Sequence, residues 1–307
     1  MKIINAGYFV MVLVLYAMIA LTITFAKAAV SAADPLFFIA VRMIVAGTLL
    51  LSFYALFSKK RSRELKVTMR DVFNFGLVII FHIYLAFIPE FWSLQYMPSV
   101  KANILWSMTP FVALLLSFIL YGERIKKLQF IGALVAFFSL LPLLTHGYNW
   151  CARDLVSFSL PELMLLISVF SATYAWFIIK KLMDRHYSLL VINGVSMLFG
   201  GVMSFVTWWF TKAPGAAPIA AYGPFLFTLF GLILLSNVIV YNLYGWLLKN
   251  YSINMVTIAG FMSPVFGAMY GWFFFGEAFQ LHDAFAVAGI AIGLSLFFIS
   301  AHNKSAV

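Results

Sequence analysis

Apolar residues along this chain neither alternate nor keep to one helical stripe. They come in nearly continuous runs of about twenty, parted by short polar interruptions, a pattern that predicts membrane-spanning helices rather than strands or amphipathic surface helices. Ten such runs are legible, at approximately 6–26, 35–57, 73–96, 98–120, 128–146, 159–181, 188–211, 224–248, 252–275 and 283–301. The fold class they predict is an all-α integral membrane protein with ten transmembrane helices.

The runs repeat. At a fixed offset of 154 residues, Thr109-Pro110 and the helix-ending Gly122-Glu123 recur as Ser263-Pro264 and Gly276-Glu277, while Met43 meets Met197 and Trp92 meets Trp246. The chain therefore divides into two five-helix repeats, 1–153 and 154–307. An odd number of spans per repeat puts the second copy into the membrane upside down, so the prediction is two inverted repeats, the arrangement of alternating-access carriers.

Composition adds that 64% of residues are hydrophobic and 10% charged, which excludes an ordinary soluble domain. A net charge of +10 would point to nucleic acid in a soluble protein; here the placement of the charge decides. With the N-terminus inside, 15 of the 20 basic residues fall on the inner side, three (Lys27, Arg153, Lys212) on the outer side, and two, Arg42 and Lys101, within spans. Both termini are predicted to be cytoplasmic. Arg124-Ile-Lys-Lys127 follows the first Gly-Glu ending and no Lys or Arg follows the second before the next span, as expected for equivalent loops on opposite faces. The first apolar run is long for a signal peptide, and it has a repeat partner, so it is read as a helix. The lone Cys151 forms no internal disulfide.

Charges inside spans are the first candidates for function, because hydrocarbon penalises them. Arg42, Glu90 and Lys101 fall in the outer third of three consecutive spans, and at +154 they meet Ser196, Tyr244 and Met255, so the cluster occurs once. One reading is a polar site in which Arg42 and Lys101 meet an anionic group while Glu90 meets an ammonium or carries a proton. The other is helix docking by ion pairing, with Lys101 reaching to the interface. His82 is the alternative proton carrier, its intrinsic pKa lying near neutrality. Asn103, Trp106, Asn237, Tyr241 and Tyr244 complete the candidate cavity wall, against the alternative that buried amides glue helices.

Pro110 and Pro264 fall near mid-span at equivalent positions, and Pro89 beside Glu90; each removes a backbone hydrogen bond and is a candidate hinge. Gly267-xxx-Gly271 and Gly289-xxx-Gly293 predict close helix contacts within the chain. No phosphate-binding loop, metal-ligand spacing or nucleophile arrangement is present in the sequence. The expectation is therefore no cofactor, no metal, no nucleic acid and no catalysis.

The paired five-helix repeats, Asp34-Pro35 with Arg42 in the second span, the mid-span Thr109-Pro110 and Ser263-Pro264, and the Gly-Glu endings together resemble the EamA branch of the drug/metabolite transporter superfamily. The resemblance covers nearly the whole chain. It implies a secondary carrier of small organic solutes in a bacterial inner membrane, with a cavity lined by the first, third, fourth, sixth, eighth and ninth spans. The second span is peripheral in that family, which favours a structural role for Arg42. Substrates of the superfamily include amino acids, nucleotide derivatives, drugs and S-adenosylmethionine. Mixed charges among aromatic rings fit a zwitterion such as an amino acid or S-adenosylmethionine-like compound, carried by proton coupling or exchange. A lipid flippase or intramembrane enzyme is the alternative.

Overall fold

The computed structural model describes residues 6–57, 67–97, 99–145, 159–215, 217–275 and 281–302. Cys151, the Gly276-Glu277 ending and the basic cluster at 59–66 lie outside them. Among the described residues the regular elements are all helices, with one isolated β-bridge, Ala33 to Ile219, where two loops meet.

The helices are α1 (Ala6–Ala32), α2 (Pro35–Phe57), α3 (Met69–Tyr96), α4 (Ser99–Trp106), α5 (Thr109–Tyr121), α6 (Lys127–Thr145), α7 (Leu160–Asp184), α8 (Leu189–Thr211), α9 (Tyr222–Asn250), α10 (Ile253–Ile258), α11 (Met262–Phe275) and α12 (Leu281–His302). Eight stretches are long and apolar enough to cross a membrane; α4 with α5, and α10 with α11, each form one of these, and α6 and α12 contribute two further apolar helices. Large side chains such as Phe53, Leu56, Phe210 and Phe227 lie more than half exposed on the outside. That is the surface expected where lipid is the solvent.

Polar residues mark where helices start. Thr68 and Asp71 form a capping box at α3, Ser159 and Glu162 another at α7, and Asp34 Oδ1 accepts from the Phe37 amide at 3.1 Å at the head of α2. Each such cap stabilises its helix by about 1 kcal/mol. Gly122, with φ +65°, ends α5 in the left-handed conformation that glycine adopts without steric cost.

Two helix pairs flank the molecule, α2 with α8 and α6 with α12, and in each pair the partners lie 154 residues apart. Small residues allow the approach. A Cβ on Gly47 would stand 2.5 Å from the backbone nitrogen of Leu198, and one on Gly201 would stand 2.8 Å from that of Ile44, which is the same contact seen from the other repeat. Gly293 meets Ala136 and Gly132 while Gly289 meets Ser139, so the second pair, like the first, runs antiparallel. Gly267 differs from the sequence expectation, because nothing lies within 4 Å of its missing Cβ.

Between the flanking pairs stand two bundles. One joins α3, α4 and α5 to α7; the other joins α9, α10 and α11 to α1. Ser93 Oγ donates to Pro161 O at 2.9 Å and Ser168 Oγ to Ala86 O, so α3 and α7 are antiparallel. In the second bundle Tyr8 donates to Met255 O at 2.6 Å, Tyr16 to Val256 O at 2.8 Å and Tyr270 to Ala17 O at 3.1 Å. These bonds tie α1 to α10 and α11 and leave the interface between the bundles to the cavity.

Candidate functional site

The cavity between the bundles has a volume of about 200 Å³ and is walled by α1, α3, α4, α5, α7, α9, α10 and α11. Of its 23 lining residues, 18 form nine pairs at the 154-residue offset: Ile19 and Thr173, Thr22 and Trp176, His82 and Ser236, Phe87 and Tyr241, Glu90 and Tyr244, Asn103 and Thr257, Trp106 and Gly260, Thr109 and Ser263, Pro110 and Pro264. Each wall thus presents the same backbone positions with different side chains.

Local backbone distortions aim these positions inward. α3 widens into a π-helical turn at Ile79–Tyr84 and α9 into another at Ile233–Val240, starting 154 residues later. His82 and Ser236 sit on these turns. A π-turn shifts the register of a helix face and is a common mark of functional positions. Pro89 lies after the first turn, yet its counterpart is Leu243 and the second turn forms without a proline. The proline therefore does not cause the distortion.

Within the cavity, Glu90 Oε1 accepts a hydrogen bond from Trp106 Nε1 at 3.1 Å. The indole holds the carboxylate within the cavity wall. His82 is buried, and neither ring nitrogen has a hydrogen-bond partner among the described residues. Its ring meets Trp176 edge-on at 4.7 Å between centroids and Tyr241 at 4.8 Å. Trp176 stacks on Tyr244 at 4.3 Å. The result is a chamber with Tyr16, Phe87, Trp106, Trp176, Tyr241 and Tyr244 in its walls, together with one carboxylate and one imidazole. Among the described residues no group of three metal-ligating side chains converges.

Arg42 is not in this wall. It is buried on α2, donates from Nε to Asn237 Oδ1 at 2.8 Å and places its guanidinium 5.0 Å from the centre of the Phe87 ring. Phe87 in turn lines the cavity, so Arg42 stands behind it. Asn237 turns its amide nitrogen to Met43 Sδ at 3.4 Å and Met197 Sδ at 3.5 Å, the repeat-related methionines. Asn237 therefore serves the interface of α2, α8 and α9, while Tyr241, one helical turn on, serves the cavity. Lys101 lies on α4, its side chain outside those described.

The mid-span prolines stand beside breaks rather than within continuous helices. The helix stops at Trp106 and restarts at Thr109, which puts Pro110 in the first turn of α5, where no N–H is required. In the other half a short 3₁₀ turn at Ala259–Phe261 separates α10 from α11, and Pro264 follows it. Thr109 Oγ1 donates to Trp106 O at 2.6 Å, satisfying the carbonyl that Pro110 leaves free. The equivalent Ser263 hydroxyl, also on the cavity, has no partner among the described residues.

Of the residues singled out from sequence, the structure brings Glu90, His82, Asn103, Trp106, Tyr241 and Tyr244 together with Pro110 and Pro264 around one space. Arg42, Asn237 and Pro89 stand outside the lining. Sequence reasoning missed Thr22, Phe87, Ser236 and Thr257. Their signal was available: each lies 154 residues from another lining residue.

A model of the EamA-like transporter family matches the chain twice, at residues 6–145 and 159–299. The chain is 30% identical over 277 residues to a protein of Chlamydia trachomatis serovar L2 named S-adenosylmethionine/S-adenosylhomocysteine transporter, covering 89% of this chain and 83% of that one. A protein of the same name from Chlamydia muridarum is 28% identical over 281 residues, covering 89% and 85%. A solved crystal structure aligns over 95% of this chain and 96% of its own with a TM-score of 0.72 at 16% identity, a likeness of fold.

Proposed function

Because this chain belongs to the EamA-like transporter family, we propose that it is an alternating-access carrier of S-adenosylmethionine-like solutes, built from ten spans in two inverted repeats. The observation that carries this reading is the cavity wall of nine residue pairs at one offset. A site whose two walls come from corresponding positions lies on the axis that relates the repeats, where rocking of one bundle against the other exposes it to each side in turn. The antiparallel packing of α2 on α8 and of α6 on α12 supports the inversion. The loop charges support cytoplasmic termini.

For the solute, the names of the chlamydial relatives agree with the chemistry of the chamber. Trp176, Tyr241 and Phe87 offer flat faces to an adenine ring, and such faces also attract a sulfonium. Glu90, held by Trp106, pairs with the sulfonium or the α-ammonium. His82 and Ser263 present unpartnered polar atoms to the base and the sugar hydroxyls. From the sequence, Lys101 is the candidate for the carboxylate end of the zwitterion, and Glu90 carries the coupling proton when no solute occupies it.

Proteoliposomes loaded with S-adenosylhomocysteine test this directly. Uptake of labelled S-adenosylmethionine should exceed that of empty vesicles and should also respond to an imposed pH gradient. Glu90→Gln should abolish the gradient-driven uptake and leave counterflow measurable; equal loss of both would assign Glu90 to binding alone. Uptake indifferent to internal S-adenosylhomocysteine and to the gradient, or thermal stabilisation by lipids but by no adenosyl compound, would overturn the reading.

A further inference from the structure

Two lysines reach from one bundle to the other, one at each end. Lys27, near the end of α1, donates from Nζ to Leu94 O at 2.6 Å and lies 3.4 Å from Met97 O, at the C-terminal end of α3. Lys180, near the end of α7, donates to Tyr251 O at 3.1 Å, at the C-terminal end of α9. Met97 and Tyr251 are the C-cap residues of their helices and stand 154 residues apart. Lys27 maps onto Lys181, the neighbour of Lys180, whose own ammonium lies over the Tyr121 ring at 5.8 Å. The same device is therefore built twice, offset by one residue.

The position of these bonds gives them their meaning. α1 belongs to one bundle and α3 to the other; α7 and α9 likewise belong to opposite bundles. Because α3 and α7 are antiparallel, their C-terminal ends lie at opposite ends of the molecule, and so do the two lysines. Each lysine is one helical turn beyond a cavity residue on its own helix, Ile23 before Lys27 and Trp176 before Lys180, so its Cα lies about 6 Å further along the helix, toward the mouth of the cavity. Each donates to the last carbonyls of a helix, which have no partner within the helix and carry the negative end of its dipole.

We infer that Lys27 and Lys180 are latches that hold the two mouths of the cavity shut, Lys27 on the outer face and Lys180 on the inner face, and that each must release for the carrier to open on its side. The inference rests on the alternating-access reading. The inner latch has help, because Ser117 donates to Asn254 Oδ1 at 3.1 Å and Asn254 Nδ2 to Glu123 Oε2 at 3.5 Å across the same interface. Lys27 therefore carries more of its closure than Lys180 does.

The test is sided labelling of the reconstituted full chain with Cys151→Ser and a reporter, Ser263→Cys, in the cavity, using a membrane-impermeant thiol reagent on either side. Lys27→Met should raise labelling from outside by about tenfold, the weight of one charge-assisted hydrogen bond, without raising it from inside. Lys180→Met should raise labelling from inside, by less. Lys27→Arg and Lys180→Arg, which keep the donor, should stay near the parent and serve if a methionine variant does not fold. Equal changes on both sides, or none, would overturn the latches even where the parent labels from both sides. Labelling of the parent from one side only, unaltered by S-adenosylmethionine, would overturn alternating access and the latches with it.

Discussion

Across the cavity the first-repeat wall and the second-repeat wall offer the same backbone positions and unlike chemistry. On one side stand His82, Glu90, Asn103 and Trp106; facing them at the corresponding positions are Ser236, Tyr244, Thr257 and Gly260. The π-turns, the breaks before the mid-span prolines and the glycine contacts of the flanking pairs are held in common. The backbone devices are duplicated, while the carboxylate and the imidazole are confined to one wall. On the proposed reading a solute would bind in one orientation, because rotating it about the axis would exchange a carboxylate for a phenol.

The comparison breaks most visibly at Asn237, whose counterpart Ile83 cannot replace it. Asn237→Leu should strand the buried Arg42 and lower stability by about 3 to 5 kcal/mol, read as a large drop in melting temperature in detergent. Arg42→Met added to Asn237→Leu should restore most of the loss; a double variant no better than the single one would remove the pairing argument. Next in size, Glu90→Gln should reduce S-adenosylmethionine counterflow by about 30-fold, the cost of one interaction with a charged group, whereas Tyr244→Phe should change it by less than about threefold. Similar losses from the two would mean that the walls are chemically equivalent after all.

The shared features make smaller predictions. Gly47→Ala and Gly201→Ala each drive a Cβ into the backbone of the facing helix, so both should destabilise, by about 1 to 3 kcal/mol. A marked difference between them would show that the flanking contact is less symmetric than it stands. The smallest contrast is at the helix breaks. Ser263→Ala removes a hydroxyl without a protein partner and should leave stability within about 0.5 kcal/mol. Thr109→Val removes the bond to the Trp106 carbonyl and should cost about 1 kcal/mol. Thermal melts of the pair decide it.

Much of this was legible in the chain. Runs of about twenty apolar residues have one stable solution in lipid, a helix that satisfies its own backbone, and the observed helices begin and end close to the predicted runs. The offset of 154 foretold which helices correspond, and Glu90, His82, Asn103 and Trp106 were visible as polar or amphipathic residues in apolar surroundings. Arg42 was visible for the same reason, yet its side chain bonds to Asn237 behind Phe87, and its charge acts on Glu90 and Tyr241 from outside the lining. Two residues on one span can point to opposite sides, and which side is interior depends on the neighbour that packs there. Thr22 was indistinct because a threonine in a span is ordinary, and Phe87 because 18% of this chain is aromatic; only their juxtaposition gives them a role.

By itself the sequence determined the class of solvent, the helices and the duplication, because those follow from local hydrophobicity and from identity at a fixed spacing. Tertiary structure decided which residues share a space: that nine pairs converge on one cavity, that Arg42 is shut out of it by Phe87, and that two lysines reach across to the far bundle at opposite ends. Such facts depend on contacts between segments as much as 154 residues or more apart, and the free energy of those contacts is settled only when all the helices have packed.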